Sequence, residues 1–119
     1  GREVAVIGGG NSALQDAVLL SDTCSKVTVI QNLGFLTGEE SLIKNLQARQ
    51  NVHFIFNTSV TGLNGKEELT SLTLKNTESN TESDFAVNGI FVAIGQVPEN
   101  ARLLLDLIGR GKKFTLVRP

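Results

Sequence analysis

The residues of this chain best suited to chemistry by type and spacing are small ones. Gly8-Gly9-Gly10-Asn11-Ser12-Ala13 follows the pattern G-x-G-x-x-A, directly after the apolar run Val4-Ala5-Val6-Ile7. Glycines that end a strand and open a helix let the backbone approach a pyrophosphate, whose charge then sits on the unpaired N–H groups of the helix's first turn. On that reading Gly8 permits the tight turn, Gly10 keeps side chains away from the phosphate, and Ala13 lets the helix lie close against the strand. Gln31 stands about 23 residues beyond Gly8, where such a unit places the side chain that faces the adenosine ribose. The alternative for Gln31 is an exposed strand-end residue with no ligand. A glycine run alone also occurs in unrelated α/β turns, so the elements around it must carry the assignment.

Those elements have the right order. Glu3-Val4-Ala5-Val6-Ile7 reads as a buried strand. Ser12 to about Asp22 has Ala13, Leu14, Ala17, Val18 and Leu20 at helical spacing, and Lys26-Val27-Thr28-Val29-Ile30 reads as a second strand, which completes a βαβ unit. Gln31 to Gly38 is a loop. Glu39 to about Gln47 is a short helix with Leu42, Ile43 and Leu46 on one face and with Thr37 or Gly38 as its cap. Asn51 to Asn57 is a third strand. Ser59 to Leu63, Leu69 to Asn76 and Asp84 to Val87 are short extended runs separated by turn-rich segments, a pattern of antiparallel meander. Ile90-Phe91-Val92-Ala93-Ile94 is fully apolar, ends at Gly95 and returns to the parallel sheet. The expected fold is therefore α/β: a Rossmann-like three-layer domain with a parallel sheet and an inserted antiparallel β-meander. A helix is expected over Ala101 to Ile108, stopped by Gly109, followed by a basic, glycine-bearing tail with one short apolar strand.

Composition narrows the function classes. With 119 residues the chain can build one core and hardly two. Its net charge of -1 and 19% charged residues carry neither a nucleic-acid footprint nor a polyacidic tail. No apolar run reaches the roughly 18 residues that cross a bilayer, and the first residues form a strand instead of a targeting peptide. The expectation is a soluble, cytoplasmic protein whose partners are small molecules or proteins, with no nucleic acid and no membrane. The single cysteine, Cys24, excludes dithiol chemistry carried by this chain alone and reads as structural. His53 sits in a strand without the partners a metal site needs. Glu39 and Glu40 open a helix, where their charge meets the dipole. No residue is assigned a catalytic or metal-binding role.

With Gly8-Gly9-Gly10-Asn11-Ser12-Ala13-Leu14 near one end and Gly89-Ile90-Phe91-Val92-Ala93-Ile94-Gly95-Gln96-Val97-Pro98-Glu99-Asn100 near the other, the chain resembles the pyridine-nucleotide domain of bacterial thioredoxin reductases. It is also similar to the flavoprotein subunit of alkyl hydroperoxide reductase. The resemblance runs from about Gly1 to Asn100, which sets that span as the nucleotide-binding domain and leaves 101–119 as a divergent C-terminal helix and tail. It implies a domain inserted between two halves of an FAD-binding domain, presenting nicotinamide to the flavin after a large domain rotation. It further implies a homodimeric parent with a thioredoxin-like protein as acceptor. Nucleotide contacts are implied at Gly8, Gly9, Gly10, Asn11, Ser12 and Ala13, with Ile94 and Gly95 lining the crevice.

Three departures qualify what the resemblance implies. The family's Cys-x-x-Cys falls just upstream of Gly1, and the FAD-domain segments are not in this sequence. The chain is then an excised domain or a truncated gene product, inactive by itself, because the flavin is the part that accepts hydride. NADPH enzymes of this kind carry His-Arg-Arg and a further Arg after the second strand, since a 2'-phosphate needs cationic, fork-shaped partners. Here the run is Gln31-Asn32-Leu33-Gly34-Phe35-Leu36-Thr37, with no Arg or Lys. NADH is favoured over NADPH, bound more weakly by the Gln31 amide than by a carboxylate. Two other readings stand beside it: a parent reductase fed by a protein donor such as ferredoxin, its nucleotide site vestigial, and a free-standing, non-enzymatic nucleotide- or partner-binding domain.

Overall fold

A computed structural model describes residues 2–65, 69–92 and 116–117. The chain runs β1 (Glu3–Ile7), α1 (Asn11–Ser21), β2 (Lys26–Ile30), α2 (Glu40–Gln47), β3 (Val52–Ile55), β4 (Thr58–Asn64), β5 (Ser71–Asn76), β6 (Glu82–Ala86), β7 (Gly89–Val92) and β8 (Leu116–Val117). Five strands make one sheet in the order β3-β2-β1-β7-β8, every neighbouring pair parallel. The other three form an antiparallel sheet in the order β4-β5-β6. This is the expected α/β architecture, a parallel sheet with an antiparallel meander inserted between β3 and β7.

Strand β1 is central because it is apolar on both faces. Val4, Ala5 and Val6 are almost fully buried, as suits a strand covered on two sides. The parallel sheet separates two cores. On one side Val4, Val6, Val27 and Val29 meet Ala13, Leu14 and Ala17 of α1 and Leu46 of α2. On the other, Ala5, Ile30 and Ile90 meet Val60, Leu63, Leu72 and Leu74 of the meander. The three layers are thus helices, parallel sheet and meander.

Helix α1 has 11 residues, no side-chain cap and no acidic residue in its first turn. Helices this short are marginal alone. Burial holds it: Leu14 is completely covered, as are Ala13 and Ala17, and one fully buried leucine contributes about 1.5–3 kcal/mol. Its far end is closed from a distance. Arg49 donates to Ser21 Oγ at 2.7 Å and to Asp22 Oδ1 at 2.8 Å, while the Asn51 amide donates to the carbonyls of Ser21 and Cys24. A cation at a helix C-terminus favourably meets its dipole.

The sequence placed most elements within a few residues. The cap of α2 differs: neither Thr37 nor Gly38 but Glu39 is the N-cap residue, and its side chain forms no cap bond. Instead its backbone N–H donates to Asn11 Oδ1 at 2.7 Å. Thr37 and Gly38 lie before the cap, in the loop, where both their N–H groups donate to Gly9 O. Strand β7 is described to Val92, and the expected helix over Ala101 to Ile108 lies outside the described residues. Among the described residues, no helix is long and apolar enough to cross a membrane.

Candidate nucleotide-binding site

The sheet order reverses at β1: β2 and β3 lie on one side of it, β7 on the other. At such a switch point the connections leave in opposite directions and open a crevice beyond the carboxyl ends of the strands. Register pairs Ile7 with Ile30 on one side and with Val92 on the other. Gly8, Gly9 and Gly10 come next in the chain and lie at that crevice.

The three glycines are required by different things. Gly8 has φ of 129°, a conformation side chains rarely adopt, and its N–H donates to Ile30 O at 3.0 Å, tying the turn to β2. Gly9 is buried. A Cβ there would collide with the Gln31 side chain, lying 2.6 Å from its Cδ. Gly10, the N-cap residue of α1, has φ of -89°. A Cβ at Gly10 would meet only Thr37 Oγ1, at an ordinary 3.7 Å. Among the described residues, no packing contact demands glycine at this position.

The first intrahelical bond of α1 runs from Leu14 N to Gly10 O. The amides before it point out of the helix end, where an anion is favoured by both hydrogen bonding and dipole. Asn11 and Ser12 begin the helix, and Asn11 gives its side-chain carbonyl to the Glu39 amide. Ala13 is fully buried against the sheet, which fits its assigned role.

Gln31 is not the exposed residue of the alternative reading, being only 6% accessible. Its backbone N–H donates to Ile55 O at 2.9 Å. Its side chain lies over Gly9, and Nε2 donates to Phe35 O at 3.3 Å. The loop it starts is tied down along its length. Asn57, at a left-handed φ of 53°, donates its N–H to Leu33 O at 3.0 Å, and the N–H groups of Thr37 and Gly38 reach Gly9 O at 2.8 and 3.0 Å. A Cβ on Gly38 would fall 2.5 Å from Leu14 Cδ1 and 3.2 Å from the Gly10 carbonyl carbon, so this loop packs directly on the glycine turn.

Ile94 and Gly95 lie outside the described residues. His53 is exposed on β3, and no group of metal-ligating side chains occurs among the described residues. Cys24 is partly buried against the helical core. Phe35, Leu33 and Asn57 carry no role in the sequence pattern, and Thr37 is there only a candidate helix cap. An aromatic residue inside a turn-rich loop was the available signal for the first of these.

The chain resembles known proteins over most of its length. Residues 1–112 match the family described as pyridine nucleotide-disulphide oxidoreductase. The bifunctional thioredoxin reductase/thioredoxin of Mycobacterium leprae is 32% identical over 108 residues, covering 91% of this chain and 23% of that protein. A Bacillus subtilis protein named NADH dehydrogenase is 35% identical over 117 residues, covering 98% of this chain and 23% of its own length. Among solved structures, thioredoxin reductase from Streptococcus pyogenes superposes with a TM-score of 0.78 at 27% identity, over 89% of this chain and 35% of that one. The chain thus spans a quarter to a third of the length of these relatives.

Proposed function

Since the chain belongs to the pyridine nucleotide-disulphide oxidoreductase family, we propose that it is the nicotinamide-dinucleotide-binding domain of a thioredoxin reductase-like, FAD-dependent oxidoreductase. The pyrophosphate would rest on Gly8 to Ala13 and the adenosine ribose would face Gln31, with Ile94 and Gly95 as the further crevice residues. The observation that carries this reading is Gly10: at an ordinary φ, and with only Thr37 Oγ1 near a Cβ among the described residues, it leaves the backbone at the head of α1 open to a ligand. A bound reduced nicotinamide supplies hydride, and a flavin in the rest of the intact parent would accept it. This chain's residues bind and orient. By itself it is expected to be catalytically silent, with a thioredoxin-like acceptor and a homodimeric parent on the same reading.

NADH is preferred over NADPH because the loop offers a 2'-phosphate no cation. The name of the Bacillus subtilis relative supports the same choice. One observation favours a second reading, a vestigial site in a parent fed by a protein donor such as ferredoxin. The Gln31 amide is already engaged with Phe35 O and packed over Gly9, so ribose binding must compete with an internal contact.

Calorimetric titration with NADH and NADPH separates the two. The expected result is NADH binding tighter than NADPH, and tightened further in Gln31→Glu by about tenfold, the worth of a charged hydrogen bond over a neutral one. Absent binding of both nucleotides, unchanged by Gln31→Glu, selects the vestigial site. NADPH binding tighter than NADH contradicts the loop argument.

A further inference from the structure

Three large hydrophobic side chains among the described residues are exposed, and two of them, Leu33 at 43% and Phe35 at 61%, lie in the loop that follows β2. Their exposure is not that of a loosely held segment. Leu33 O accepts the Asn57 amide and Phe35 O accepts Gln31 Nε2, so each is anchored through its own carbonyl. Two residues further on, Thr37 and Gly38 bond Gly9 O, which fixes the loop to the glycine turn. Resting on the nucleotide reading above, we infer that Phe35, flanked by Leu33, is the platform on which the adenine of the dinucleotide stacks.

The chemistry follows from position and charge. The ribose-facing place in a βαβ unit is the end of β2, here Gln31, and the base extends beyond the ribose away from the pyrophosphate. Gln31 connects the two ends of that path, its side chain lying over Gly9 and its amide holding Phe35 O. With no Arg or Lys from Gln31 to Gly38, the loop cannot grip the adenosine end by ion pairing. An aromatic face can, since every base has a π-face and stacking needs no charge. Affinity at this end then depends on surface and not on ionic strength.

The 119-residue chain contains no tryptophan, so Phe35→Trp introduces a single reporter at the proposed contact. ADP-ribose is the probe, because it carries adenine and pyrophosphate without nicotinamide fluorescence. Phe35→Ala is expected to bind it about tenfold more weakly. Phe35→Trp is expected to keep the affinity, with its emission quenched on titration. Unchanged affinity in Phe35→Ala, or retained affinity in Phe35→Trp without quenching, overturns the platform and leaves the nucleotide reading standing. Failure of the unsubstituted chain to bind ADP-ribose overturns both, and is told apart by that control.

Discussion

The glycine turn and the loop after β2 meet at Gly9, yet they are built by opposite means. The turn is backbone: Gly8 at positive φ, Gly10 with only Thr37 Oγ1 near a Cβ among the described residues, and the first-turn amides of α1, which no described side chain caps. The loop is side chain and long-range tether: Gln31 laid across Gly9, Asn57 holding Leu33, Asn11 holding the start of α2. A seat made of backbone recognises phosphate in any dinucleotide, whereas a seat made of side chains decides which one. On the reading proposed above, the turn keeps its general form and the loop from Gln31 to Gly38, without a charged side chain, is where discrimination would fall.

The largest effect should come from the turn. Gly8→Ala forces a side chain into φ of 129°, at a cost of about 1–3 kcal/mol in stability, and should abolish dinucleotide binding because the α1 amides are re-aimed. Thermal denaturation and titration with NADH together check it. A substituted chain that folds and binds normally would show that the turn does not depend on its strained glycine.

Next in size is the loop, where the comparison can be inverted. Giving it cations through Asn32→Arg with Leu33→Arg should raise NADPH affinity by about tenfold or more, the worth of one charge-assisted bond to the 2'-phosphate. NADH affinity should fall slightly or stay level. Equal gains for both nucleotides would mean that the new charges act as a general field on the pyrophosphate, and the division of labour between turn and loop would be lost.

The same contrast explains how much was legible in the sequence. The strand, glycines, helix and strand of β1, α1 and β2 follow from periodicity and from local backbone rules, so their bounds could be read closely. The meander was legible as short extended runs broken by turn residues, and Asn80 at φ of 58° is one such turn position. The loop was legible only as a loop. Its shape is set by bonds from Gly9, Ile55 and Asn57, residues distant in sequence, and no local pattern encodes them. The same distance in sequence hides the cap of α2: local pattern offers Thr37 or Gly38, whereas Glu39 takes the position with its N–H held by Asn11 Oδ1. It is also why the arrangement of Gln31, buried and bonded to Phe35, could not be foreseen from its place at the end of a strand.

The smallest effect tests whether the backbone seat of α1 is burdened by a charge of its own. Asp16 lies farther along the helix, and its Oδ2 is buried without a hydrogen-bond partner among the described residues. Burial raises its pKa above the ordinary 3.8, since desolvation penalises the ionised form. A carboxyl whose folded pKa is raised binds its proton more tightly in the native state. Its contribution to stability is therefore full below the unfolded value and is lost as pH rises through the folded one. Asp16→Asn should then stabilise the chain at neutral pH by up to about 1 kcal/mol. The gain should vanish in acid, below the ordinary carboxylate value. Thermal denaturation of both proteins across that range measures the difference. A loss of stability at neutral pH in Asp16→Asn would mean instead that the ionised carboxylate holds a partner, and the seat at the head of α1 would then be shaped by a side chain as well as by backbone.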